Sequence, residues 1–337
     1  MKFQECSLIE LMSHYSIREG FHFYSITEPT NVRDAIVIHV SKDAEIEAPT
    51  IPPSLKSLDE HIAFINEHKL EKALVIGDRI DFLLQCPSLH YLWIIPSFGA
   101  LNGFDFSPLY MMPEIKYLKC ATKYGQEEKN GGYLDYSKIR GLQMLNVDFS
   151  KYDQHFEKVS TLKTLELCHY KKRNGSLRDA FSSSILDVLR LSFCGLSSLD
   201  GIEIANSMKS VELLHCRKLE DISALAKVKN SLVSLNIRNC PQIRDFSVLG
   251  QLHELEDLRL EGKNILSNLS FLRCMPSLKV FVLSMDVADG DLSPCLNIPF
   301  VYCDDKKHFS HKNVELPKNT GPDSNFYARH GIEEWRS

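Results

Sequence analysis

The densest metal-ligating chemistry in the chain lies between positions 303 and 311. Cys303, Asp304, Asp305, His308 and His311 bring a thiol, two carboxylates and two imidazoles together, with His308 and His311 at i, i+3. Thiolate and imidazole would suit zinc. No partner cluster completes the set, and the stretch reads as a polar loop, so neither a metal nor a cofactor is expected. Two thiol–imidazole neighbours, Cys168–His169 and His215–Cys216, could act in nucleophilic chemistry if their side chains met. Adjacent residues of an extended strand point to opposite sides, so neither pair is poised as a dyad. The phosphate-binding, dinucleotide, zinc-protease, nucleophile-elbow and C-x-x-C patterns do not occur. No catalytic residues are expected, and the chain reads as non-enzymatic.

Binding is then the chemistry to look for, and it depends on which side chains the backbone turns outward. One phrase recurs: L-D-V-L-R-L at 186–191, M-K-S-V-E-L at 208–213, L-V-S-L-N-I at 232–237, L-E-D-L-R-L at 255–260 and L-K-V-F-V-L at 278–283. The starts lie 22, 24, 23 and 23 residues apart. Looser versions begin at 71, 89, 115, 142 and 162, which makes about ten repeats over 70–295. In each phrase the fourth and sixth residues share one side of a strand. A single repeat cannot bury that side alone, so the repeats must stack.

Three repeats continue alike, as L-S-F-C-G-L at 191–196, L-L-H-C-R-K-L at 213–219 and I-R-N-C-P-Q-I at 237–243. Short apolar segments follow, among them L-E-D-I-S-A-L at 219–225 and I-R-D-F-S-V-L at 243–249. The pattern resembles leucine-rich repeats of the bacterial internalin-like type. The resemblance implies an α/β solenoid with a parallel sheet on its concave face and short 3₁₀ turns or brief helices on the convex side. It also implies that Cys194, Cys216 and Cys240 point inward and bond the backbone of each turn.

With positions four and six inward, positions three, five and seven face outward on the sheet. In the first repeat these are Ala73, Val75 and Gly77. Tyr91, Trp93, Ile95 and Tyr117 then form an aromatic, apolar patch early in the array, and Arg190, Glu212, Arg238, Arg259 and Glu261 form a mixed-charge ladder later. Trp, Tyr and Arg dominate interface hot spots, so these nine residues are the candidate partner-binding site. The alternatives are packing of the aromatic patch beneath the N-terminal segment and a self-compensating, solvated charge ladder. Two insertions, 123–133 and 170–176, could also bind.

Residues 1–69 do not fit the repeat and read as an N-terminal cap or a small α/β module. Strands are expected at 21–27 and 34–40, and a helix at 57–70 with Ser57 and Glu60 as a capping box. Residues 296–337 read as a C-terminal cap strand followed by a polar tail that ends in a docked or free segment.

The chain has 337 residues, 44% hydrophobic and 25% charged, and a net charge of −5. That balance argues against nucleic acid or an anionic membrane as partner. No apolar run is long enough to span a bilayer, and MKFQECSLIE lacks the pattern of a signal peptide. The ten scattered cysteines read as reduced thiols of a cytoplasmic protein. The expected function is a scaffold, monomeric when free, that holds a protein partner of unknown identity. An intracellular inhibitor, such as an immunity protein that neutralises a toxin, fits these properties. An adaptor whose N-terminal segment recruits other machinery is the alternative, and an enzyme the remote one.

Overall fold

The structure is a computed structural model that describes residues 15–24, 34–40, 54–96, 104–120, 134–149, 153–171, 175–319 and 326–332. The chain divides into two compact units, Met1–His155 with Glu334–Ser337, and Phe156–Glu333. The insertion at 123–133 lies outside the described residues, as does the centre of that at 170–176.

In the first unit, β1 (Tyr15–Arg18) and β2 (Phe21–Tyr24) form an antiparallel hairpin, and β2 pairs antiparallel with β3 (Ala35–His39). Glu19 and Gly20 make the tight turn, both at positive φ (52° and 84°), the backbone that a two-residue hairpin requires. β4 (Lys72–Gly77), β5 (Tyr91–Pro96), β6 (Tyr117–Cys120) and β7 (Met144–Asp148) continue from β3 in parallel. The sheet is therefore mixed only in the N-terminal segment that precedes the repeats.

The helix Leu58–His68 forms where the capping box predicts it. The Glu60 amide donates to Ser57 Oγ at 3.2 Å, and the Ser57 amide donates to Glu60 Oε2 at 2.7 Å. The helix buries Ile65 and His61, while Phe64 stacks on Phe21 at 4.2 Å.

The first repeat needs a correction. β4 pairs Leu74 with Trp93 and Ile76 with Ile95, so Leu74 and Ile76 share the outward face, and Ala73 and Val75 point inward. The run A-L-V-I has no alternation to set its phase, and a slip of one residue exchanges the faces. The phrase in register is L-E-K-A-L-V at 70–75.

The second unit is more regular. β8 (Thr164–Cys168), β9 (Val188–Ser192), β10 (Ser210–Leu214), β11 (Ser234–Arg238), β12 (Asp257–Leu266), β13 (Val280–Val287) and β14 (Phe300–Cys303) pair in parallel and in sequence order. Leu189, Leu213, Leu235, Leu258 and Phe281 are fully buried beneath them. 3₁₀ turns follow at Ser223–Lys227, Ser247–Gln251, Ser270–Cys274 and Ser293–Cys295. Each opens on an Asp or Asn whose side chain accepts the amide of the serine two residues on, at 2.7–2.9 Å from Asp221, Asp245, Asn268 and Asp291. That local bond gives the chain a reason to leave the strand there.

Cys194, Cys216 and Cys240 are buried, and their Sγ atoms donate to Leu167 O, Leu191 O and Leu213 O at 3.3–3.5 Å. Burial pushes the Cys194 thiol well up. In the next repeat Asn264 takes this role. Its amide donates to Cys240 O at 3.1 Å and Ile243 O at 2.8 Å, beside a register shift that begins after Glu261. Beyond β14, residues 317–319 pair antiparallel with it, through the amides of Val301 to Pro317 O and Asn319 to Pro299 O. A sheet edge is thereby covered.

Candidate protein-binding face

Register decides which side chains meet on the outward face. In the first unit Tyr24, Ala35, Val37, Leu74, Ile76, Trp93, Tyr117 and Met144 form one apolar cluster, with Tyr91 and Ile95 packed against it. The Trp93 ring meets the edge of Tyr24 at 5.3 Å, and Lys119 Nζ lies 4.0 Å from its centroid. The four aromatic-patch residues do come together, but not as an open surface. Trp93 is 8% exposed and Tyr117 0%, while Tyr91 and Ile95 are half-buried. The strands β2 and β3 extend the face with Tyr24, Ala35 and Val37 and turn the patch into a core layer.

In the second unit one row across the strands reads Glu166, Arg190, Glu212, Asn236, Arg259, Val282, Tyr302. Neighbouring strands lie about 4.8 Å apart, so opposite charges in adjacent repeats must meet. Arg190 reaches Glu212 at 3.0 Å and Glu166 at 3.5 Å, and Arg190 and Glu166 are buried. Arg259 grips Asp257 through two bonds of 2.9 and 3.0 Å. Arg238 does the same to Glu261 at 3.0 and 2.9 Å. The sequence left open a ladder that pairs with a partner's carboxylates and one that compensates itself. Each arginine already holds a carboxylate of its own sheet, and Arg190 is removed from the surface.

Parallel strands every 22–24 residues, an inward Cys or Asn after the strand and a 3₁₀ turn on the far side now stand together. The chain has a leucine-rich-repeat fold. Neither the models of known protein families nor the curated proteins include a match to it. Among solved structures it is similar to the internalin inlF of Listeria monocytogenes, at 15% identity over 76% of this chain and 74% of that one, with a TM-score of 0.46. It is also similar to internalin C2 of the same organism (20% identity, 53% and 88% covered, TM-score 0.35) and to a leucine-rich-repeat protein of Leptospira interrogans (14%, 76% and 83%, 0.38). Likenesses this distant say nothing about a partner.

The accessible part of this repeat protein's outward face centres on Arg238, whose side chain is 47% exposed, and on Tyr302, 42% exposed at the end of the row. Tyr302 escaped the sequence reading, although the phase of I-P-F-V-Y-C, with Val301 and Cys303 inward, would have placed it. Its hydroxyl donates to Asp304 at 3.3 Å, and the charge of Asp304 raises the phenol.

The candidate metal ligands do not converge. Cys303 Sγ donates to Asp304 O at 3.4 Å, His308 Nε2 lies 3.1 Å from Asp286, and His311 Nδ1 meets Ser310 Oγ. Among the described residues no group of three or more His, Cys, Asp or Glu is placed to hold an ion. The thiol–imidazole neighbours diverge as well. His215, at φ 55°, stacks on Phe193 at 4.8 Å, while Cys216 points inward. The nine described cysteines are free thiols, and among the described residues no helix is long and apolar enough to cross a membrane.

Proposed function

We propose that this leucine-rich-repeat protein is a non-catalytic scaffold that grips one protein partner on the outward face of its second unit, around Glu212, Arg238, Arg259 and Glu261, with Tyr302 beside them. The observation that carries the reading is the paired and exposed Arg238. Two bonds from Glu261 fix its guanidinium, so a partner would meet a planar donor already oriented on a rigid sheet. Tyr302 adds an aromatic surface at the end of the neighbouring row, which also carries Arg259, and Val282 is a half-buried apolar step between those two. Glu166 and Arg190, both buried, pair with the half-buried Glu212 and hold the register at its side. In the first unit Trp93 and Tyr117 are core residues, and Tyr91 and Ile95 are half-buried on its own outward face.

A cytoplasmic inhibitor is the form of scaffold this arrangement suits, since a preformed face can occlude an enzyme, a toxin included, without rearranging. The test is capture of a partner with the full chain as bait, then titration against wild type and Arg238→Glu. The reading expects a one-to-one complex, loss of the partner's activity on binding, and at least about tenfold weaker binding by the variant. Equal affinity of both chains would remove the face from the interface.

A further inference from the structure

The segment Phe326–Ile332 folds back onto the edge of the second unit where the strands begin. It is barely two turns long, yet Phe326 is 5% exposed and Ile332 3%, in one cluster with Val188 and against Val233. Arg329 reaches Glu256 at 2.8 Å, and His330 Nε2 lies 3.3 Å from the same carboxylate, which also accepts Lys279 Nζ at 2.9 Å. Val188, Val233 and Glu256 come from three repeats, at the second or third residue of the phrase. The sheet edge thus offers an apolar step followed by an acid.

The segment fills this place imperfectly. Ser210, in register beside Val188, is fully buried, and among the described residues its Oγ has no hydrogen-bond partner. Asn236 Oδ1, on the same face of β11, is also shielded and has no partner among the described residues. Buried polar atoms are normally satisfied, so a ligand built for this place would answer them. The helix Phe326–Arg329 is far too short to persist alone, so the contact depends on being tethered.

We propose that the leading edge of β9–β12 is a docking site for a short helical segment of a partner protein. That segment carries an aromatic residue, an arginine three positions on and an aliphatic residue three further, and Phe326–Ile332 occupies the site in cis until it is displaced. The site is separate from the Arg238 face and stands or falls without it.

The probe is a fluorescent peptide of residues 324–337, titrated by anisotropy against full-length chains. Wild type should bind it poorly, because its site is filled. The variant Phe326→Asp with Ile332→Asp, which releases the tethered segment, should bind at least tenfold tighter. Adding Glu256→Arg should abolish that gain, and a peptide carrying Arg329→Glu should restore it by reversing the pair. Arg238→Glu should leave peptide binding unchanged. A released variant that stays folded and binds no better than wild type overturns the proposal. So does a released variant that unfolds, since the segment is then part of the core. Arg329→Glu alone, a change at an exposed side chain, provides the second route. It should bind the wild-type peptide more tightly than wild type does, since the change frees Glu256, and its own segment should become more accessible to protease. Unchanged cleavage there also overturns the proposal.

Discussion

The fifth residue of the strand phrase is Trp93 in one unit and Arg259 in the other, and the backbone places both alike on the outward face. Trp93 is buried against Tyr24 and under Lys119, whereas Arg259 is half-exposed and bonded to Asp257. What differs is the company each keeps across the ladder. Trp93 sits among Tyr24, Leu74, Ile76 and Tyr117, with Lys119 capping its ring, so the face closes into a core layer. Arg259 lies between Asn236 and Val282 and pairs with Asp257 of its own strand, so the face stays polar there and the charge is compensated. Outward register therefore makes a residue available for binding only where its row does not complete an apolar cluster.

The sharpest way to break this contrast is Trp93→Ala. As a buried aromatic truncation it should lower the unfolding free energy by about 3–5 kcal/mol, read from urea denaturation. A change below about 0.5 kcal/mol would mean that the first unit's face is surface and that the two units do not differ.

The sequence carried the regular half of this picture further than the irregular half. From Leu186 to Leu260 each phrase carries a polar fifth residue (Arg190, Glu212, Asn236, Arg259), and all five strands to Leu283 lie in the predicted register. In β4 alternation fails, because Ala73, Leu74, Val75 and Ile76 are all apolar and the strand is buried on both sides. The fate of Trp93 was open for a related reason. Its burial depends on Tyr24 and Val37, which come from a hairpin and a strand outside the repeat pattern. The arginine pairs followed from spacing alone, since Arg190 and Glu212 are each the fifth residue of their phrase. Arg329 meeting Glu256 was beyond reach, because no periodicity links residues 73 positions apart.

The next prediction concerns charge within the second unit. Arg190→Ala should cost about 3–5 kcal/mol, because it strands two carboxylates in a buried setting. Arg259→Ala removes a half-exposed pair and should cost about 1 kcal/mol or less. Replacing Glu166 by Gln, Arg190 by Met and Glu212 by Gln together should recover most of the loss. Equal costs for the two arginine variants would contradict their different burial.

A pH titration separates the units differently. In the first unit His39 is held down to about 4, by burial and then by His22 and His61, and burial also lowers His61. A depressed imidazole means that the folded state binds fewer protons than the unfolded one. Stability is then complete above the ordinary histidine value and is lost as pH falls from about 6.5 towards 4. His39 alone should account for roughly 2–3 kcal/mol over that window. Trp93 fluorescence in a Trp335→Phe background would follow it, and His39→Gln should flatten the profile. A midpoint that does not move between pH 7.5 and 4.5 would show His39 to be solvated.

The smallest effect on stability is expected at Arg238, and it tests the comparison from the other side. The pair with Glu261 has ideal geometry, but the arginine is exposed, and exposed pairs contribute about 0–1 kcal/mol. Arg238→Ala should therefore shift unfolding by less than about 0.5 kcal/mol, where Trp93→Ala shifts it several-fold more. Partner binding should respond in the opposite order, with a loss of about 2 kcal/mol at Arg238. Charge reversal at Arg238 should also slow association, most visibly at low salt, where a surface charge is least screened. The two readouts together separate support from contact. A residue that moves stability alone belongs to the closed face of the first unit, and one that moves affinity alone belongs to the open face of the second. If Arg238→Ala instead destabilised the protein as much as Trp93→Ala does, the guanidinium would be a structural clamp. The open face would then hold no preformed anchor for a partner.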